Sequence, residues 1–202
     1  MRIGVDIDGV LARFNEDYIK MCIKLTGRDL FGPDFQPRVW DFPENQGYTV
    51  AEVLAVWGRI KTSLDFWFNL KPYHDTQTAL ELLTEHEDMG SDLYFITARP
   101  GYKAKDQTER WLETYAPFNA RTPTVLISSM KGLCAKALAL DVYIDDRYEN
   151  VVNVREMSPK TKVFLMDRTW NQSEGGILRG DVTRVFSVAE MFETVNPVGF
   201  VL

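Results

Sequence analysis

Short apolar runs rich in β-branched or aromatic residues recur along the chain at 3–5, 93–96, 124–127, 142–144 and 163–165. Runs of that length, without polar alternation, predict strands buried in a parallel sheet. Between them apolar residues return every three or four positions. Leu80 and Leu83 mark one such segment, and Ala104, Trp111, Leu112 and Tyr115 a second; Leu133, Cys134, Ala137 and Leu138 follow, then Val188, Met191 and Phe192. That is the period of a helix with one buried face. Strand and helix alternate, which predicts right-handed βαβ units and an α/β fold with helices on both faces of the sheet.

The stretch from Phe14 to Leu70 breaks the alternation. It follows the first strand but supplies no second strand, and reads as an insertion. Phe14, Tyr18, Cys22 and Leu25 predict one helix face within it; Val50, Val53, Leu54, Trp57 and Ile60 predict another. Gly32-Pro33-Asp34 and the aromatic, proline-containing stretch 37–43 suit a loop between the two.

At 202 residues the chain has room for one well-buried domain with a small insertion. Its 45% hydrophobic and 26% charged residues are those of a folding chain rather than a disordered one. A net charge of −6 supplies no overall basic field for duplex nucleic acid, so any phosphate it holds is expected to be small and locally coordinated. No apolar run approaches a membrane span and no signal peptide is recognisable, so the expected location is cytoplasmic. Cys22 and Cys134 sit at apolar positions of helical patterns, without metal-ligand spacing, and are expected to be buried free thiols.

Ligands of an open parallel sheet gather at the carboxyl ends of its strands. Here the first strand ends in Asp6-Ile7-Asp8-Gly9, the second in Thr97-Ala98-Arg99-Pro100 and the fourth in Asp145-Asp146-Arg147, while Lys131 opens the helix before the fourth. Carboxylates crowded in this way repel one another unless a cation such as Mg²⁺ relieves them. Asp6, Asp8, Asp145 and Asp146 are the candidate ligands, Asp146 either directly or through the ion's water shell. Asp6 is the candidate nucleophile toward phosphorus. Asp8 could protonate the leaving alkoxide and then take a proton from water. Thr97, Ala98, Arg99 and Lys131 are the candidate phosphate cradle. Lys136 competes with Lys131, but the helix start stands nearer the strand ends. Each motif has a plainer reading, a turn, a helix cap or a surface lysine; their joint occurrence at successive strand ends favours a phosphate site.

These residues resemble the haloacid dehalogenase superfamily of phosphohydrolases. Asp6-Ile7-Asp8-Gly9-Val10 looks like its first motif, Phe95-Ile96-Thr97 its second, Lys131 its third and Ile144-Asp145-Asp146 its fourth. The resemblance implies a Rossmannoid three-layer sandwich with strand order 5-4-1-2-3, an aspartyl-phosphate mechanism, Mg²⁺ and a small helical cap after the first strand. The core would be 1–13 and 71–202, and the cap 14–70. A narrower likeness is to 5′(3′)-deoxyribonucleotidases. It rests on residues 6–14, on the aromatic cap junction 65–72, and on Asp145-Asp146-Arg147, with 167–171 similar as well. Thr97-Ala98-Arg99-Pro100 departs from the Thr-Ser-Pro run of the vertebrate enzymes, which leaves base and sugar preference open.

Phe14, Trp40 and Trp67 lie on or beside the insertion and could stack on a nucleobase, or form the cap's own core. The expected activity is therefore a 5′-nucleotidase acting on nucleoside monophosphates, with a homodimer allowed. The alternatives are a phosphatase for another small ester or for nucleic-acid ends, which would need a basic groove, and a silent phosphate-binding protein, which would have lost Asp6 or Asp8.

Overall fold

The computed structural model describes residues 1–115, 123–172 and 182–195. Six strands, β1 (Arg2–Val5), β2 (Asp92–Thr97), β3 (Thr124–Ile127), β4 (Val142–Asp145), β5 (Lys162–Met166) and β6 (Val182–Val185), form one sheet in the order β3-β2-β1-β4-β5-β6. Every pairing is parallel. The order is the expected one extended by β6 at the β5 edge. Its sequence, Val-Thr-Arg-Val, has two polar residues in four and no apolar run to mark it.

Alternate residues of the strands enter two separate cores, as the period-2 geometry of a strand requires. Val142, Ile144, Phe164 and Met166 pack on one face with Leu80 and Leu83 of α4 (Thr76–Asp88), Trp111 and Leu112 of α5 (Ala104–Tyr115), and Met191 and Phe192 of α8 (Val188–Val195). Tyr143, Val163 and Leu165 pack on the other with Ala135 of α6 (Lys131–Leu138) and Val151 and Val154 of α7 (Tyr148–Met157). Helices thus cover both faces, and the fold is a three-layer α/β sandwich. Gly4 is required in β1, since a Cβ there would stand 2.4 Å from a Leu140 methyl.

Residues 14–70 carry α1 (Phe14–Thr26), a single turn α2 (Phe42–Asn45) and α3 (Val50–Thr62), with α1 packed on α3. The turn α2 begins at the end of the 37–43 stretch expected to be loop, and Pro43 stands in its first turn without costing a hydrogen bond. The buried face of α3 is Val53, Val56 and Ile60; Val50 and Leu54, expected inside, are 66% and 65% exposed. The chain leaves and re-enters the sheet region side by side, with Arg13 N–H donating to Lys71 O and Tyr73 N–H to Leu11 O. Both cysteines are free, Cys22 buried and Cys134 only partly so. No helix among the described residues is long and apolar enough to cross a membrane. Of the expected core, 116–122, 173–181 and 196–202 lie outside the described residues.

Candidate active site

The DxDG turn follows from a strand that ends under a tight reversal. The N–H groups of Val10, Leu11 and Ala12 all converge on Ile7 O, and Gly9 adopts φ +84°, a left-handed conformation that favours glycine. A Cβ on Gly9 would also fall 2.0 Å from Asp146 Oδ2, so the turn and the end of β4 meet where only hydrogen fits. Arg168 fixes the turn from outside, donating from Nε to Gly9 O at 2.6 Å and from Nη2 to Val10 O at 3.2 Å, with its guanidinium over the Tyr73 ring.

Asp6, Asp145 and Asp146, all buried, bring one carboxylate oxygen each within 4.8 Å of one another. Lys131 Nζ donates to Asp6 Oδ1 and to Ile96 O and stands 3.7 Å from Asp145 Oδ2. Lys136, the competing lysine, is exposed. Asp145 accepts from Tyr143 Oη at 2.5 Å, from Arg147 N–H at 2.9 Å and from Asn150 Nδ2 at 3.0 Å. Asp146 Oδ2 accepts from Trp170 Nε1 at 2.8 Å, while Asn171 Nδ2 ties Asp146 O to Met166 O.

Burial pushes the Asp6 carboxyl up to about 7, with Asp145 and Asp8 adding to the rise and the Lys131 ammonium opposing it. Burial likewise raises Asp146 well above the usual carboxylate range, with Asp145 and Asp6 adding to it. Burial alone would lower Lys131, but Asp6 and Asp145 outweigh it and the ammonium is held above its ordinary value. Three carboxylates against one ammonium would, if all were ionised, leave two negative charges unbalanced, and burial drives two of the three toward protonation in the absence of a cation. An oxygen-liganded divalent cation fits that donor set in charge and in kind.

The Asp8 carboxylate, expected to share the metal, is not part of this cluster. Arg99 forks it, Nε lying 3.2 and 2.9 Å from its two oxygens and Nη2 lying 2.8 Å from Oδ1. Arg99, expected on the phosphate, is buried, and its third nitrogen donates to Thr108 Oγ1 at 3.0 Å. Thr97 Oγ1 stands 3.5 Å from Asp8 Oδ2 and accepts from Arg99 N–H at 3.4 Å.

Above these groups opens a cavity of about 370 Å³, with Asp6, Asp8, Thr97, Ala98, Lys131 and Asp146 toward its floor and Phe14, Trp40, Trp57 and Trp67 among its lining. Phe14 is the hub of the aromatics, with ring centroids 6.0 Å from Trp40, 5.7 Å from Trp57 and 5.7 Å from Trp67, at interplanar angles near 20°.

A family described as 5′ nucleotidase, deoxy (pyrimidine), cytosolic type C protein matches residues 1–193. The chain belongs to this family. A provisionally named nucleotidase of Oceanobacillus iheyensis is 24% identical over 183 residues, covering 89% of this chain and 93% of that protein. Among solved structures, a haloacid dehalogenase-like family hydrolase from Streptococcus pneumoniae superposes with a TM-score of 0.62 at 14% identity, covering 96% and 97% of the two chains. A D,D-heptose 1.7-bisphosphate phosphatase from B. bronchiseptica, complexed with magnesium and phosphate, does so at 0.55 and 11% identity, covering 98% and 99%. This 5′-nucleotidase family member thus shares the fold of haloacid dehalogenase-like hydrolases and is, by its family, a phosphoric monoester hydrolase.

Sequence reasoning missed several groups of the candidate site. Trp57 and Lys61 line the cavity, yet their α3 spacing marked Trp57 only as core. Trp170 reaches Asp146 from 24 residues away, a contact for which only the similarity of 167–171 to the deoxyribonucleotidases gave a signal. Of the three aromatics expected to face substrate, Phe14 is 5% and Trp67 2% exposed, so both are largely core, while Trp40 is half-buried; Trp57, which was not among them, is half-buried too.

Proposed function

We propose that the protein dephosphorylates nucleoside monophosphates with Mg²⁺ bound, through a phosphoryl group carried transiently on Asp6. The observation that carries this reading is the Asp6 carboxylate, placed at the cavity floor with Asp145, Asp146 and Lys131 about it. Asp6 would attack phosphorus as the ester P–O bond breaks, and the leaving alkoxide would take the proton held by Asp8. Water would then attack the same phosphorus and return a proton to Asp8, the P–O bond to Asp6 would break, and orthophosphate and the free carboxylate would result.

Asp6, Asp145 and Asp146 would hold the metal. Bound Mg²⁺ would neutralise charge on the phosphate's non-bridging oxygens. Lys131 would oppose protonation of Asp6 and aim it, and Thr97 and the Ala98 backbone would bind phosphate oxygens. Trp40 and Trp57, the half-buried rings, would hold the base, with Phe14 and Trp67 stiffening the wall behind them. The cavity is within the size range of small-molecule sites. Residues 14–70 would act as a cap on a core of 1–13 and 71–202, hinged where 11–13 pairs with 71–73.

The test is phosphate release across nucleoside monophosphates, sugar phosphates and phosphorylated oligonucleotides, with Mg²⁺ and with chelator. Preference for the nucleotides and loss of turnover in chelator are expected. Activity unchanged by chelator defeats the metal assignment, and equal rates on sugar phosphates defeat the base site.

A further inference from the structure

Arg99 is the largest buried cation among the described residues, 1% exposed, and its surroundings show why it is there. Its Nε and Nη2 address Asp8 and its Nη1 addresses Thr108 Oγ1, so each of its three nitrogens is engaged. Its guanidinium carbon lies 5.1 Å from the Trp67 ring centroid and 6.0 Å from that of Trp111. These aromatic walls are themselves pinned. Trp67 donates from its N–H to Gln107 Oε1 at 2.9 Å and from Nε1 to Pro100 O at 3.1 Å; Trp111 Nε1 donates to Leu70 O at 2.7 Å. Helix α5 therefore holds the arginine and the returning end of 14–70 together, through Gln107, Thr108 and Trp111.

Asp8, by contrast, has little else to hold it. Its side chain is 15% exposed and sits just before Gly9 in the turn, and its other side-chain partner, the Thr97 hydroxyl, stands at 3.5 Å, the outer limit of a hydrogen bond. A forked guanidinium fixes both the place and the plane of a carboxylate, which a single donor cannot do.

We infer that Arg99 is the positioning residue for Asp8 rather than a phosphate ligand: a caged arginine that aims, beside the floor of the cavity, the carboxylate that takes the attacking water's proton. This rests on the reading of Asp8 as the proton carrier.

The alternatives separate in kinetics. A guanidinium on phosphate stabilises substrate and product alike, so its loss raises both KM and the inhibition constant of inorganic phosphate, by about tenfold or more for a charge-assisted contact. A guanidinium that aims Asp8 acts on proton transfer, a contribution of roughly 10²–10⁴ in rate, part of which is lost when the carboxylate wanders. Arg99→Met is expected to lower kcat by about 10- to 100-fold while KM and phosphate inhibition stay within about threefold. In an Asp8→Asn background the same substitution should add nothing, because the group it positions is gone. Thr108→Val, which removes one anchor and keeps the arginine, should lower kcat by a few-fold with the same unchanged phosphate inhibition, and decides the matter if Arg99→Met does not fold. A rise in the phosphate inhibition constant parallel to the loss of rate, or losses that multiply in the double variant, overturns the inference. Near-normal turnover of Asp8→Asn alone would instead overturn the reading of Asp8, a result distinguishable from both.

Discussion

Replacing Asp6 with asparagine should inactivate the protein and stabilise its metal-free form. The carboxyl is pushed from 3.8 to about 7, chiefly by burial, so without metal the folded state holds its proton more tightly than the unfolded chain does. For a raised carboxyl the folded state is favoured at low pH, and the advantage is lost as pH rises from the unfolded value to the folded one. Below about pH 4 both states are protonated and Asp6 costs nothing; from there to about pH 7 it costs roughly 1.4 kcal/mol per pH unit. At pH 8 the penalty reaches a ceiling of roughly 4 kcal/mol. Asparagine keeps the shape and an oxygen for Lys131 Nζ but cannot ionise. Asp6→Asn should therefore gain about 2–4 kcal/mol in chelator at pH 8, or about 5–15 °C in Tm for a chain of this size. The assay is thermal unfolding of both proteins in chelator from pH 4 to pH 8, then with excess Mg²⁺. The gap should grow with pH and shrink with the ion, which binds the fully charged wild type better. A variant no more stable at pH 8, or a gap independent of pH, refutes the reasoning.

Lys131→Met leaves three buried carboxylates without their ammonium and should cost about 3–5 kcal/mol at neutral pH, less at pH 5, as read by denaturant unfolding. Gly9→Ala forces a Cβ against Asp146 at a left-handed backbone position, itself worth roughly 1–2 kcal/mol, and should lower Tm and raise the Mg²⁺ concentration for half-activation. Trp57→Ala should raise KM for nucleoside monophosphates by about 10- to 100-fold, since it removes a stacking face of roughly 1–3 kcal/mol, and should cost less in Tm than the loss of a fully buried ring because Trp57 is only half-buried against Phe14 and Tyr18. Trp67→Ala should instead lose about 3–5 kcal/mol of stability, because that ring is core.

The parallel sheet and its acidic edge were legible because a buried strand advertises itself by an uninterrupted apolar run, and the residue after the run is then placed without further knowledge. Asp6, Thr97 and Asp145 are positioned by that logic alone. β6 was not legible: a four-residue edge strand with two polar positions carries no run to read. Helical period indicated the helices of 14–70 and the inward face of α1, where Phe14, Tyr18 and Cys22 are buried though Leu25 is not, but gave the inward face of α3 only in part. Leu54 belonged by spacing with Val53 and Trp57, yet stands at the cavity rim, where apolar exposure is useful to a ligand and invisible to periodicity. The partners of Asp8 and Asp146 were the hardest to foresee. Arg99 and Trp170 reach them across 91 and 24 residues of sequence, and such pairings exist only once the sheet order has brought the loops together.

The central claim is that Asp6 forms the bond to phosphorus. It is tested most directly by quenching the Mg²⁺-loaded protein in acid during turnover of a nucleoside monophosphate and mapping phosphoryl groups by peptide mass. One phosphoryl group on Asp6, labile to hydroxylamine and absent from Asp6→Asn, is the predicted result. A turning-over protein that carries none, or carries it on another residue, contradicts the account.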